Sequence, residues 1–310
     1  MNCYGRVLVT GGAGFIGSRL VRRLVEVGCV VRVLDDLSSG SMANLSGLDG
    51  SVEFIRGDVR SREVVYGAVK GVDAVVHLAG KTSVEESIGR PLEYNEVNVA
   101  GTLNVLDACV KGGVGRLIFS SSASVYGEPS ELPLKEDSPV RPLSPYAASK
   151  LSAEHYINVY HRVYGLDTVI LRIFNVYGCG QPLNDYSGVI AKFLGRIKSG
   201  KPPIIYGDGC QTRDFIYVDD VVDAFTMALN GDASGETFNI ASGKPTTINE
   251  LADTMIRLSG KSGLKPIHVE ARRGDIRHSY ADISKAVEKL KFKPKTTLEE
   301  GLAKLFENSF

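Results

Sequence analysis

The stretch from Arg6 to Gly28 constrains this chain most. Arg6-Val7-Leu8-Val9-Thr10 is apolar with little polar alternation, as a strand buried on both faces should be. Gly11, Gly14 and Gly17 follow at GxxGxxG spacing. Ile16, Leu20, Val21, Leu24, Val25 and Val27 then recur at helical intervals until Gly28 stops the run. A strand that feeds a helix through a glycine turn offers free backbone N–H groups and the positive end of a helix dipole, which suits a pyrophosphate. The early glycine permits the tight turn. The middle one lets backbone approach the phosphates, and the last lets helix pack on strand. The spacing differs slightly from the GxGxxG dinucleotide fingerprint but works by the same physics.

Further apolar runs follow at Val30–Leu34, Val52–Ile55, Ala74–Leu78, Arg116–Phe119 and Thr168–Arg172. Helical patterns fill the gaps, notably around 95–111 and 146–164. Strands alternating with helices predict an α/β fold, a doubly wound parallel sheet. After Asn175 the loops lengthen and grow richer in Gly and Pro. We therefore divide the 310 residues into a cofactor-binding domain, 1–174, and a smaller, interleaved substrate-binding domain, 175–310. A segment near 237–241 is expected to return to the main sheet.

Lys+Arg and Asp+Glu are both 36, and no basic run stands out, so nucleic acid is not an expected partner. The N-terminal residues lack a signal-peptide pattern, and no apolar run approaches the roughly 20 residues of a membrane span. A cytoplasmic enzyme is expected. Cys3, Cys29, Cys109, Cys179 and Cys210 are odd in number, scattered and free of CxxC pairs. That argues against zinc or a disulfide framework and for buried thiols, with one or two internal disulfides left open. The five histidines show no metal-ligand spacing, so no metal is expected.

Asp35 ends the second strand 18 residues after Gly17. A carboxylate there accepts hydrogen bonds from both ribose hydroxyls and repels a 2′-phosphate, which favours NAD over NADP. Asp58, after the third strand, is placed to meet the adenine edge. Tyr146 and Lys150 are four apart, on one face if helical. A cation near the phenol favours phenolate and makes Tyr146 a base. Ser120-Ser121-Ser122 ends the preceding strand, where a doubly wound sheet gathers its chemistry. A hydroxyl there can bond the reacting sugar oxygen and pass its proton to Tyr146. There is no GxSxG nucleophile elbow.

These residues, with His77-Leu78-Ala79-Gly80, Asn98, Ser120 to Gly127 and Arg172 to Asn175, resemble the extended short-chain dehydrogenase/reductases. Within that family the chain is similar along nearly its whole length to the UDP-glucose 4-epimerases. The resemblance implies a Rossmann-like domain, tightly held NAD, and a homodimer built on two helices from each subunit. It implies that Ser122 and Tyr146 meet the substrate 4-OH and Lys150 the cofactor ribose. It places the cofactor on Gly11, Gly14, Phe15, Ile16, Gly17, Asp35, Asp36, Leu37, Ser38, Ser39, Gly40, Asp58 and Val59. Leu78, Ala79, Gly80, Thr82, Asn98, Ser120, Tyr146, Lys150 and Ile173 complete that set. A UDP-sugar would meet Asn175, Gly188, Val189, Tyr206, Arg213, Arg272, Asp275 and Ser279. Arg213 and Arg272 can each clamp phosphate oxygens. Some epimerases carry Lys two residues after the Gly80 position; here Thr82 stands there and Lys81 precedes it.

Three activities remain open on sequence. A 4-epimerase oxidises and re-reduces the sugar, acting on UDP-glucose and UDP-galactose, on their N-acetyl forms through the small Ser279, or on a uronate. A 4,6-dehydratase or decarboxylase shares the oxidation but usually carries an acid in the Ser-rich segment. Here Ser121 to Gly127 contains none, and Glu128 is the first carboxylate. A silent NAD-binding regulator would not need Ser122, Tyr146 and Lys150 together.

Overall fold

A computed structural model describes residues 5–182, 188–271 and 276–307. Arg272 and Asp275 lie outside the described residues. The first half runs β1 (Arg6–Thr10), α1 (Phe15–Glu26), β2 (Val30–Asp35), β3 (Val52–Arg56), α2 (Arg62–Val69), β4 (Ala74–His77), α3 (Val84–Gly89) and α4 (Pro91–Asn95). It continues through α5 (Gly101–Gly112), β5 (Arg116–Ser122), α6 (Pro145–Tyr164) and β6 (Asp167–Ile173). Then come β7 (Asn175–Tyr177), α7 (Val189–Lys198), β8 (Ile204–Tyr206), β9 (Thr212–Tyr217), α8 (Val218–Asn230) and β10 (Glu236–Ile240). The last are β11 (Pro245–Thr247), α9 (Ile248–Leu258), β12 (Ile267–Val269), β13 (His278–Ser279) and α10 (Leu298–Glu307).

Seven parallel strands form the main sheet in the order β10-β6-β5-β4-β1-β2-β3. The order reverses direction beside β1, where α/β sheets open a ligand crevice. Both faces are covered, which is why β4 is buried along its whole length. Apolar residues of α1 and α8 close one face, and those of α2, α5 and α6 close the other. The outermost strand, β10, comes from the second half of the chain and pairs with β6.

Helix α6 has clear boundary chemistry. Ser144 caps α6 by accepting from Ala147 N at 3.1 Å, Pro145 fills its first position, and Gly165 closes it at φ +70°. Helices α4 and α5 are joined by a π-helical turn, Glu96–Ala100, which the sequence pattern around 95–111 does not reveal.

In the second half, β11, β9 and β13 form a small sheet, to which β7 adds on β9. Helices α7, α9 and α10 cover a separate core. Asp214 ties this region together. It is fully buried, and its carboxylate accepts from Ser242 N (2.8 Å), Ser242 Oγ (2.6 Å), Gly243 N (3.0 Å) and Ala281 N (3.2 Å). Cys109, Cys179 and Cys210 are free, whereas Cys29 is disulfide-bonded, within the one or two internal disulfides that the sequence left open. Among the described residues, no helix is long and apolar enough to cross a membrane, and no cluster could hold a metal ion.

Candidate active site

The glycine turn stands at the sheet's C-terminal edge. Gly11 has φ +71°, and a Cβ on it would sit 2.7 Å from Ala79 N. A Cβ on Gly17 would meet the Gly11 carbonyl oxygen at 2.1 Å. Gly17 therefore lets the helix come down on the backbone that directly follows β1. Gly14 caps α1 without any side-chain bond, so the first N–H groups of the helix remain available to an anion. Phe15 and Ile16 open that helix.

Asp35 lies at the end of β2, and its carboxylate accepts from Ala13 N (2.9 Å) and Leu37 N (2.8 Å). Burial raises its pKa, and these two bonds oppose the rise. Leu37 adopts φ +62° to make the turn. Asp36 receives Ser38 N and Ser38 Oγ at 2.9 and 2.6 Å, Ser39 is exposed, and a Cβ on Gly40 would strike Ala13 backbone at 2.8 Å. The segment 35–40 thus folds against the glycine turn. Next along the edge, Asp58 is held by Arg60, which donates Nε at 2.9 Å and Nη2 at 2.6 Å and keeps the carboxyl low. Sequence reasoning missed Arg60. Val59 is buried against Gly101. An uncapped helix N-terminus, a glycine cradle with no room for Cβ, and a carboxylate at the end of β2 together fit NAD.

Beneath the turn runs a directional hydrogen-bond chain. Thr102 Oγ1 donates to Asn98 O (2.6 Å), so it accepts from His77 Nε2 (3.0 Å). His77 Nδ1 must then accept from Thr10 Oγ1 (2.7 Å), which in turn accepts from Ala79 N (3.2 Å). His77 is therefore neutral, with its proton on Nε2. Burial drives its pKa down to about 3, helped by the charge on Lys150.

Asn98 sits in the π turn. Its amide brackets the Lys81 peptide, accepting from Lys81 N (2.8 Å) and donating to Lys81 O (3.0 Å), and it also donates to Ser149 Oγ (2.9 Å). With its amide so engaged, Asn98 holds the loop after Gly80 in place. The Lys81 ammonium pairs with Glu86 (3.4 Å) and Glu93 (3.0 Å), while Thr82 is exposed on the same loop. Leu78 packs on the core, and a Cβ on Gly80 would sit 3.4 Å from Lys150 Nζ.

Tyr146 and Lys150 share the inner face of α6, 7% and 3% exposed. Burial raises the Tyr146 pKa, and a hydrogen bond with Ser122 lowers it. The edge of Tyr94 packs on the Tyr146 ring at 6.3 Å. Lys150 Nζ donates to Ser120 O at 2.9 Å and sits 4.8 Å over the Phe119 ring. Burial brings its pKa down to about 8, and Glu154 pulls it back up. The carbonyl that binds Lys150 thus stands two residues before the hydroxyl that binds Tyr146. Ser124 Oγ, two residues beyond Ser122, is buried without a partner among the described residues.

Across the crevice, Ser279 pairs in register with Arg213, and parallel neighbours in register point to one face. Arg213 Nη1 also donates to Thr212 O at 2.8 Å. Asn175 begins β7 and is exposed, Gly188 caps α7 just before Val189, and Tyr206 ends β8 at 37% exposure. Ile173 is buried at the end of β6. Asp208 is clamped bidentately by Arg277 at 2.7 and 2.8 Å, a second residue the sequence reading passed over.

This site now has named relatives. A model of the NAD dependent epimerase/dehydratase family matches residues 7–241. The chain belongs to that family. It is 40% identical over 306 residues to a UDP-glucose 4-epimerase of Mycolicibacterium smegmatis, covering 97% of each chain. A UDP-N-acetylglucosamine 4-epimerase from Methanobrevibacter ruminantium, solved with UDP-N-acetylmuramic acid, superposes at TM-score 0.94 with 41% identity, covering 99% of this chain and 98% of that one. A UDP-glucose 4-epimerase from Thermotoga maritima, solved with UDP-glucose, gives TM-score 0.93 at 39% identity and 97% coverage of both. This family member is an NAD-dependent nucleotide-sugar epimerase.

Proposed function

We propose that this epimerase interconverts UDP-galactose and UDP-glucose and also accepts their N-acetyl forms. The observation that carries the reading is the Ser122–Tyr146 pair, one helical turn from Lys150, in a strand-end turn without a carboxylate. In the proposed reaction Ser122 orients the sugar 4-OH and Tyr146 takes its proton. NAD, when bound, supplies the hydride acceptor and donor. After the 4-keto sugar turns over about its diphosphate, C4 would present its opposite face for the returning hydride, and Tyr146 would give the proton back to the 4-oxygen. Residues 1–174 would hold the cofactor. Residues 175–310 would hold the nucleotide, with Arg213 and Arg272 on the diphosphate, Asn175 beside it, and Gly188, Val189 and Tyr206 around the uracil. Asp275 belongs to the same segment as Arg272.

A dehydratase needs a free acid/base pair near C5–C6. Glu128 is exposed, Glu154 is held by Arg172, and Glu86 is engaged by Lys81 and Tyr94. These commitments favour the epimerase. For breadth, the small Ser279 lies beside Arg213, where an N-acetyl group would need room. Incubating the purified protein with UDP-galactose and NAD should give UDP-glucose with no net reductant consumed. Unchanged substrate, or a dehydrated product, would sink the reading. We also propose a homodimer through α4 and α6, whose Leu92 (78% exposed), Val163 (69%) and Val159 (48%) leave an apolar strip. Light scattering at the monomer mass would refute it.

A further inference from the structure

The reacting residues occupy one face of α6, and a third member of that face has no role so far. Glu154 follows Lys150 by four residues and is 2% exposed. Its carboxylate accepts from Arg172 Nη2 at 2.8 Å and from Arg172 Nε at 3.0 and 3.3 Å. Its remaining partner is the hydroxyl of Ser121, in a short hydrogen bond. Ser121 stands in register with Arg172, between β5 and β6. A buried ion pair is seldom the most stable filling for its space, because desolvation offsets much of its attraction. The placement of this one is what carries an argument. Ser121 is flanked by the residue whose carbonyl binds Lys150 and by the residue whose hydroxyl binds Tyr146.

The contacts continue away from the helix. Arg172 Nη1 donates to Tyr126 OH at 3.0 Å and to Glu136 O at 2.9 Å. Tyr126 OH donates to Asn239 Oδ1 at 2.6 Å, and Asn239 Nδ2 donates to Leu134 O at 3.0 Å. Leu134 N donates to Tyr280 O at 2.9 Å, directly after Ser279. One polar network thus runs from α6 to the backbone directly after Ser279. Fully satisfied networks of this kind rigidify what they join.

We propose that Glu154 is a positioning residue of the epimerisation: locked by Arg172, its carboxylate holds Ser121 and so fixes the strand end that presents the Ser120 carbonyl to Lys150 and the Ser122 hydroxyl to Tyr146. The inference rests on the reading of Tyr146 as the base. Small errors in such placement are costly, up to about 10²-fold in rate.

Two variants test it on the NAD-loaded enzyme with a UDP-hexose it turns over. Ser121→Ala removes one hydroxyl and keeps every charge, so it is the variant least able to disturb folding. It should lower kcat at least about fivefold, leave KM and bound NAD unchanged, and leave the shape of the kcat–pH profile unchanged. Glu154→Gln should lower kcat further. It also removes a negative charge from a pocket faced by Lys150 and Tyr146 on α6, Arg172 on β6, Tyr126 and Glu136 after β5, and neutral His77 on β4. Losing it leaves Arg172 uncompensated and lowers the pKa of Lys150, so the limb of the profile that Lys150 governs should move to lower pH. A wild-type kcat in Ser121→Ala, or a loss confined to KM or NAD content, would overturn the positioning role while leaving the base assignment intact. Wild-type turnover in Tyr146→Phe would instead overturn the base, and the positioning role with it.

Discussion

Tyr146 occupies a pocket that by itself favours the neutral phenol, since burial outweighs the one hydrogen bond from Ser122. The sequence puts the Lys150 ammonium near that phenol, and in the structure the amine donates to the Ser120 carbonyl. The Tyr/Lys spacing was readable; the Ser120 partner was not, because a backbone acceptor leaves no mark in the sequence. Replacing Tyr146 by Phe keeps the ring that packs on Tyr94 and removes only the proton acceptor. We expect kcat to fall about 10²–10⁴-fold with NAD content unchanged by absorbance of the purified protein. A loss under tenfold would remove Tyr146 as the base. Ser279 carries the specificity prediction. Its register with Arg213 places it on the arginine's face of the small sheet, with His278 on the other. Overfilling a packed site costs about 1–3 kcal/mol, so Ser279→Tyr should cut N-acetyl-hexosamine turnover by roughly 5- to 150-fold. UDP-galactose turnover should barely change, and parallel rate assays on the two substrates would show equal losses if Ser279 does not face the sugar.

The strands of the parallel sheet were legible because burial on both faces leaves uninterrupted apolar runs, as in Ala74–His77. The π turn at Glu96–Ala100 was not, since its apolar spacing reads as ordinary helix. It matters because it puts the Asn98 amide against the Lys81 peptide. Asp214 was equally hidden. In sequence it is one acid beside Arg213, yet its carboxylate gathers β9, the 242–243 turn and the bridge residue Ala281. Those partners are non-local, and nothing in neighbouring residues announces them. Hydrogen bonds to a charged group are worth about 1.5–3 kcal/mol each and are not additive. Asp214→Ala should therefore cost about 3–5 kcal/mol in urea unfolding and raise KM for nucleotide sugar before it affects NAD content. A variant within about 1 kcal/mol of wild type by that measurement would show the cluster to be dispensable.

Stability against pH should carry the signature of His77. Its folded pKa is about 3 against an ordinary 6.5, so the unfolded chain binds a proton between those values and the folded chain does not. The contribution is intact above pH 6.5 and is lost as pH falls toward 3, at about 1.4 kcal/mol per pH unit. Urea midpoints measured from about pH 7 to about pH 4 should fall less steeply in His77→Gln than in the wild type; identical slopes would mean that the hydrogen-bond chain tolerates a charged ring. The edge of the main sheet decides how such an enzyme can be taken apart. Its outermost strand, Glu236–Ile240, is donated by the second half of the chain, and Arg116 of β5 is bound by the carbonyls of Ala228 and Leu229 from that same half. A break near Asn175 would strip β6 of its outer neighbour and leave Arg116 with Asp167 but without those carbonyls. The two halves are therefore not cassettes: recombination at their sequence boundary would deliver two unfinished pieces, and new sugar preferences must arise by substitution within one indivisible chain.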